Sequence, residues 1–253
     1  MTLVSVVIPS LNDAPMLRRC LAAIAAQSRP ADEVIVVDNG STDDTAEVAR
    51  AAGARVVDQP IRGIFPATSA GFDAARGDII CRLDADSLPH PDWIERVVAT
   101  FESAPELSAL SGPGDFYGSN RFVHWAGETF YIGGYIWFIG WLFGYDPLFG
   151  SNLAIRASVW DRLRGTVHSD RPDVHDDLDL SFHIQPDMVT RFDRTLRVGI
   201  SARPFASPAG LARRVSRAFS TMSLNYREQS YSARRAARRA HSARDADQTP
   251  AEA

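Results

Sequence analysis

The 253-residue chain is 45% hydrophobic and 23% charged, enough to bury the core of one large α/β domain or two small ones. All 27 of its Lys+Arg residues are arginine, which excludes Schiff-base chemistry, a phosphate-loop lysine and any lysine general base, because a guanidinium keeps its proton. The net charge of −4 is unevenly placed: residues 1–212 carry 18 Arg against 27 acids and residues 213–253 carry 9 Arg against 4, an acidic body with a basic tail. Cys20 and Cys81 are too few for a disulfide framework and sit in apolar surroundings, so both are expected as buried thiols in a reducing compartment. The first residues, Met-Thr-Leu-Val-Ser-Val-Val-Ile-Pro, lack a basic region and do not read as a signal peptide, so a cytoplasmic body is expected.

Leu3 to Pro9 is an apolar run interrupted only by Ser5, the pattern of a strand buried on both faces. Met16, Leu17, Leu21 and Ile24 then recur at helical spacing within 13–27. Glu33 to Val37 reads as a strand, Ser41 or Thr42 as the cap of a helix running through Arg50, and Arg55 to Asp58 as a strand. Ser69 to Arg76 reads as a helix and Asp78 to Leu83 as a strand. This alternation predicts an α/β fold with a doubly wound, mostly parallel sheet, whose ligands lie beyond the strand carboxyl ends at 9–12, 38–41 and 84–87. Pro89 to Phe101 follows as a helix and Leu107 to Gly112 as a strand. Thr129 to Tyr145 is a 17-residue uncharged stretch rich in aromatics, with four glycines, and is short of the ~20 apolar residues of a spanning helix. It reads first as a core or acceptor-cleft segment and second as an interfacial element touching lipid. Val189 to Ile200 is strand-like, Leu211 to Arg244 is helical and mostly polar, and Ala243 to Ala253 is expected to be disordered.

Three clusters carry chemistry. Arg82-Leu83-Asp84-Ala85-Asp86-Ser87 closes a buried strand with two aspartates one residue apart. In an extended segment such residues share a face, and two hard anionic oxygens in one crevice repel unless a cation lies near them. Mg2+ or Mn2+ is held against a diphosphate in this way. Asp38-Asn39-Gly40-Ser41 is a common turn, yet the Asn39 amide offers a donor and acceptors that suit a pyrimidine edge. Val174-His175-Asp176-Asp177-Leu178-Asp179-Leu180 crowds three carboxylates and an imidazole. Acids suit a helix start, and like charges also raise a carboxyl pKa toward that of a general base for a hydroxyl proton.

In this order the motifs resemble those of the family 2 glycosyltransferases of GT-A fold. The resemblance runs through Val4 to Asn12, Val36 to Asp43, Ala75 to Ile80, Leu83 to Asp86, Gly150 to Arg156 and Asp176 to Leu180, within residues 3–200. It implies a GT-A (nucleotide-diphospho-sugar transferase) fold over 1–210, with a nucleotide-sugar-binding half at 1–112, an acceptor-binding half at 113–210, and a basic helical tail at 211–253. It implies that Pro9, Ser10, Asn12, Asp38 and Asn39 bind base and ribose, that Asp84 touches ribose or metal, and that Asp86 coordinates Mn2+ or Mg2+ on the diphosphate. Asp177, with Asp176 before it, is the implied catalytic base, and Gly150 and Asn152 lie on the acceptor side. The chain departs from the family pattern at Asn39, where aspartate is common, and at Asp176, where glutamate is usual. Ala67-Thr68-Ser69 also departs, which leaves Arg62 as the candidate diphosphate contact.

The implied activity is metal-dependent, inverting transfer of a sugar from a nucleoside-diphosphate sugar donor to a hydroxyl acceptor on a glycan, a small molecule or a lipid-linked carrier. A sugar nucleotidyltransferase shares the architecture but relies on a glycine-rich loop with lysine. An inactive membrane-associated scaffold would have no use for Asp84, Asp86 and Asp177. The tail arginines read either as a solvated helix or as a peripheral surface for anionic lipid, and an acidic body without a recognition motif argues against a nucleic-acid partner.

Overall fold

The computed structural model describes residues 1–118, 133–203 and 208–248. Strands β1 (Val4–Ser10), β2 (Glu33–Asp38), β3 (Arg55–Asp58) and β4 (Ile79–Arg82) alternate with helices α1 (Ala14–Ala25), α2 (Thr45–Ala51) and α3 (Ile64–Ala74). Beyond them follow β5 (Leu88–Pro89), α4 (Trp93–Ser103), β6 (Leu107–Ser111), β7 (Gly114–Tyr117), α5 (Gly133–Phe143), β8 (Leu153–Arg156) and α6 (Ala157–Leu163). The chain ends with α7 (Asp176–His183), β9 (Val189–Phe192), β10 (Val198–Ser201), α8 (Pro208–Glu228) and α9 (Tyr231–Gln248). The first four strands are parallel, and β8 enters antiparallel between β4 and β6, giving a seven-stranded sheet in the order β3-β2-β1-β4-β8-β6-β9. β5, β10 and β7 form a small second sheet.

Every residue of β1 is buried because helices cover both faces of the sheet. Val4, Val6 and Ile8 join the layer of α1 and α4 with Leu17, Ile24, Trp93 and Val97, whereas Val7 joins the opposite layer with Phe65, Phe72 and Trp160. Two-sided cover is why the strand reads as a continuous apolar run. The buried Ser5 hydroxyl donates to Glu33 Oε2 (2.8 Å) and accepts from the Gly77 N–H (2.9 Å), so it is satisfied. α3 rests directly on the sheet at Gly71, where a Cβ would come within 2.3 Å of Val7 Cγ1.

Several elements differ from the sequence expectation. α2 begins at Thr45 rather than after Ser41 or Thr42, because Ser41 Oγ accepts the Asn12 N–H and the Asp43 carboxylate accepts those of Ala14 and Thr45. The residues of that turn therefore tie the end of β1 to the end of β2. α3 starts at Ile64, ahead of the expected Ser69, with Pro66 in its first turn, where a missing N–H costs nothing. The 189–200 stretch is two strands in different sheets. The polar C-terminal stretch is two helices, and it packs into the body: Thr221 and Asn225 of α8 are fully buried. α9 runs on to Gln248, into the region expected to be disordered, while 249–253 lie outside the described residues, as do 129–132 of the aromatic stretch. The rest of that stretch is α5, which buries Ile139 and Phe143 and exposes Trp137, Phe138 and Trp141. Among the described residues no helix is long and apolar enough to cross a membrane.

Candidate active site

Because β1 lies between β2 and β4, the loops after these three strands meet at one edge, with Ser10 in register with Asp38 and Val7 with Arg82. A cleft of about 420 Å³ opens there, walled by Pro9, Ser10, Asp84, Asp86, Asp176 and Asp177 together with His175, Arg214 and Arg217. An adjoining hollow of about 380 Å³ is lined by Asn39, Arg62 and Pro172 and shares Pro9, Ser10 and Arg217 with the cleft. Each has the size of a small-ligand site. Ser10 is 4% exposed, and its hydroxyl has no hydrogen-bond partner among the described residues.

Arg82 organises the floor. It is buried at the end of β4, with one guanidinium nitrogen 2.8 Å from Asp84 Oδ1 and another 3.0 Å from Asp176 Oδ2. Thr68 Oγ1 also donates to Asp176 Oδ2 (2.6 Å), so one oxygen of that buried carboxylate takes both partners. Burial pushes the Asp84 carboxyl up, but Arg82, the Ser151 hydroxyl and Arg214 outweigh it and hold the carboxyl below its ordinary value.

The two aspartates after β4 stand on a turn, not on an extended segment: the Ser87 N–H donates to Asp84 O (2.9 Å), and Ser87 Oγ accepts the Asp84 N–H (3.0 Å). Both side chains nevertheless face the cleft. Tyr117 braces the turn by donating to Asp86 O (2.7 Å). Burial, then the Asp84 charge, pushes the Asp86 carboxyl up to about 6, even though Arg203 donates to its Oδ2 at 3.0 Å. Arg203 also forms a two-pronged pair with Asp13, at 2.6 and 2.7 Å.

At the opposite end, α7 opens with Asp176 and Asp177 behind His175, whose Nε2 donates to Arg214 O (3.1 Å). The Gly150 N–H donates to Asp177 Oδ2 (3.0 Å) and the Leu178 N–H to Oδ1 (2.8 Å), which fixes the carboxylate. Burial first, and the Asp176 charge second, raise the Asp177 pKa above the ordinary carboxylate value.

Residues 5–159, more than half of the chain, match the model of the family described as Glycosyl transferase family 2. The chain belongs to glycosyl transferase family 2. It is 36% identical over 126 residues to glycosyltransferase AglE of Haloferax volcanii, an alignment covering 46% of this chain and 38% of AglE. It is 36% identical over 110 residues to the undecaprenyl-phosphate 4-deoxy-4-formamido-L-arabinose transferase of Pseudomonas fluorescens, covering 39% of this chain and 32% of that protein. The chain thus spans less than half the length of these curated relatives. Among solved structures it is similar to mannosyltransferase PcManGT from Pyrobaculum calidifontis in complex with GDP-Man and Mn2+, with a TM-score of 0.66 and 23% identity over 84% of this chain and 61% of that one. It is also similar to glucosyl-3-phosphoglycerate synthase from Mycobacterium tuberculosis in complex with Mn2+, UDP and glucosyl-3-phosphoglycerate, with a TM-score of 0.57 and 21% identity over 86% and 80% of the two chains. These likenesses establish the GT-A fold.

In this family 2 chain the six residues Pro9, Ser10, Asp84, Asp86, Asp176 and Asp177 line the cleft, and Asn39 and Arg62 line the hollow beside it. Asn12, Asp38, Gly150 and Asn152 line neither space. Two of the expected contacts, Asn39 and Asn12, also brace the fold, and a third, Asn152, is corrected. The Asn39 amide donates to Gln59 O (2.9 Å) and Ile61 O (2.7 Å) and accepts the Gly63 N–H (2.8 Å), so it holds the 59–63 loop with both of its hydrogens while lining the hollow. Asn12, at φ 51°, accepts the Thr42 N–H (2.7 Å) and links two loops. Asn152 is fully buried, accepts from Trp93 Nε1 (2.9 Å) and donates to Leu196 O (2.6 Å); it is scaffold, not acceptor wall. Gly150 positions Asp177, and a Cβ there would meet an Arg82 guanidinium nitrogen at 2.7 Å. Asp38 Oδ1 accepts the Ser41 N–H (3.0 Å) and so shapes its own turn.

Arg82, Arg203, Arg214 and Arg217 escaped the sequence reading as site residues. Arg82 had a signal, a charge inside an otherwise apolar strand. The other three come from distant, motif-free segments.

Proposed function

We propose that the chain transfers a glycosyl group from a nucleoside-diphosphate sugar to a hydroxyl acceptor, with inversion at the anomeric carbon. One observation carries the reading. Asp86 and Asp177 face a single cleft with raised pKa values, while Arg82 neutralises the acid beside each of them. The glycosyltransferase names of the relatives and the nucleotide and sugar-nucleotide complexes of the structural neighbours support it.

Asp86 fits a divalent cation: its carboxylate is a hard donor, faces the cleft, and keeps a raised pKa through burial and the neighbouring Asp84 despite its pairing with Arg203. Mn2+ or Mg2+ held by Asp86 and Asp84 would screen the diphosphate charge when bound. Arg214 and Arg217 line the same cleft and supply fixed positive charge for phosphate oxygens. The hollow beside it, with Arg62 at its wall and the free Ser10 hydroxyl between the two spaces, takes base and ribose. Asp177 accepts the proton of the acceptor hydroxyl; its raised pKa makes it the stronger base, and the Gly150 and Leu178 amides keep it aimed. The hydroxyl attacks from the side opposite the departing diphosphate, so the anomeric centre inverts in one displacement.

Thermal unfolding of the full chain against a panel of UDP-, GDP- and dTDP-sugars tests the donor part, since a ligand raises stability by mass action. One nucleotide class should raise the midpoint in a metal-dependent way, and its transfer product should show inverted anomeric configuration by NMR. A response independent of metal, or a retained configuration, overturns the reading.

The acceptor side has its own observation. α5 exposes Trp137 (71%), Trp141 (57%) and Phe138 (44%), and Arg235 of α9 lies against Gly144 just past it. Exposed aromatics beside arginines form an interfacial anchor for anionic lipid. This surface suits a lipid-linked acceptor, with the body on the cytoplasmic side of the membrane. In flotation with anionic vesicles, the full chain should co-migrate and the Trp137→Ala/Trp141→Ala variant should lose most of the bound fraction; equal flotation of the two overturns this part.

A further inference from the structure

Away from the cleft, two imidazoles and a carboxylate converge. His168 lies between α6 and α7, His183 ends α7, and Glu228 ends α8. Their ligand atoms all lie within 4.8 Å of one another. The fully buried Asp179 fixes both rings: its Oδ1 accepts from His168 Nδ1 (2.8 Å) and its backbone carbonyl from His183 Nδ1 (2.8 Å). Each Nδ1 therefore carries a proton, and each Nε2 is turned toward Glu228. Asp179 is itself held by Asn225 Nδ2 (2.7 Å) and the His168 N–H (3.0 Å). His168 Nε2 stands 2.9 Å from Glu228 Oε1, and His183 Nε2 stands 3.9 Å from Oε2.

This arrangement calls for a cation. Two imidazole nitrogens and a carboxylate oxygen converge here from three separate segments, the nitrogen and oxygen donors a divalent cation takes. The charged group packed against the cluster from α9 is Arg234, which lies over the Phe182 ring and beside Asp179 and Glu228. The two carboxylates offset Arg234 and leave the cluster able to accept a further cation.

We propose that His168, His183 and Glu228 bind a zinc ion, with Asp179 as the carboxylate that orients the imidazoles. Two nitrogens, one carboxylate oxygen and a water complete the tetrahedral set zinc prefers. A carboxylate behind a ligating histidine fixes its tautomer and raises its basicity. The ion joins the loop before α7, the end of α7 and the end of α8. α7 begins with Asp176 and Asp177, and α8 carries Arg214 and Arg217, so the site clamps together two helices that line the cleft.

Metal analysis of the full chain purified without chelator, followed by titration of the stripped protein with Zn2+ and with Co2+, tests this. Asp86→Ala serves as the background in which the cleft carboxylate cannot hold a cation. A single zinc equivalent is expected in both the natural chain and Asp86→Ala, with a tetrahedral Co2+ spectrum. Zinc affinity should fall on the order of 100-fold in His183→Gln and in Glu228→Gln. Glu228 is half exposed, so its amide variant keeps the fold, as circular dichroism would verify, and decides the matter if His183→Gln does not fold. No zinc bound, binding unchanged by Glu228→Gln, or binding lost with Asp86→Ala each overturn the proposal.

Discussion

At one end of the cleft Asp84 and Asp86 follow β4, and at the other Asp176 and Asp177 open α7; Arg82 stands between, paired with the first acid of each. The second acids face the same space but are held differently. Asp86 has a guanidinium partner, Arg203, whose side chain is half exposed and which is shared with Asp13. Asp177 has two backbone N–H donors and no cation bonded to it in the described structure. A charged partner on a long side chain can be exchanged for another cation, whereas fixed amides keep a carboxylate aimed while leaving its proton affinity high. One pair is thus built to trade counter-ions and the other to take a proton.

The largest effect should come from breaking what the two ends share. Arg82→Met strands the buried Asp176 without its cation and should cost about 3–5 kcal/mol in urea unfolding; a loss below about 1 kcal/mol would mean that the ends are independent. Next, Asp177→Asn should lower turnover ~100-fold or more while calorimetry finds donor affinity unchanged. Near-normal turnover would remove Asp177 as the base. At the other end, Asp86→Ala should weaken Mn2+-dependent donor binding by at least ~10-fold, with metal-free nucleotide binding spared. If both variants act on donor binding alike, the division of labour fails.

The smallest effect is a pH dependence. The Asp177 pKa is raised in the folded chain by burial and by Asp176, so the native state holds a proton that the unfolded chain releases. The resulting stabilisation is full below the ordinary carboxylate value and is lost as pH rises through the raised one. Unfolding of metal-free natural chain and Asp177→Asn across that window should show a stability difference that shifts in favour of the variant as pH rises. A constant difference would show that the carboxyl is unshifted. Turnover, which needs the ionised form, should rise through the same window.

The β1–β4 half was legible because two-sided burial writes unbroken apolar runs and helical spacing into local sequence. The four acids were legible as clusters, since like charges gathered at strand and helix ends are unusual enough to require a partner. Their backbone setting was not: the i, i+2 rule for an extended strand fails at Asp84 and Asp86 because Ser87 closes a turn there. Nor does residue type say which way an amide points. Asn39 and Asn152 look like ligand contacts in sequence, and both satisfy backbone groups of distant segments. Arg203 reaches Asp86 across 117 residues of chain, a contact set only by how β10 lies beside β7 and β5. The tail looked separable because its charge is so one-sided, yet Thr221 and Asn225 bury themselves against α7 and Ala218, Met222 and Leu224 pack on the core beside them, an uncharged inward face that charge counts alone do not reveal.

Cys20 and Cys81 are both free, fully buried, and within the layer between the sheet and α1 and α4. Burial pushes both thiols above their ordinary pKa, and at Cys20 the charges of Asp86 and Asp84 act in the same direction. Alkylating reagents therefore reach them only when that layer opens, which makes the natural chain its own breathing gauge. Cys20 Sγ lies 3.6 Å from the Asp84 carbonyl, directly behind the turn that carries Asp86. The rate at which it is modified thus reports how often the floor of the cleft loosens, and anything that grips the turn from the front should slow the clock at its back.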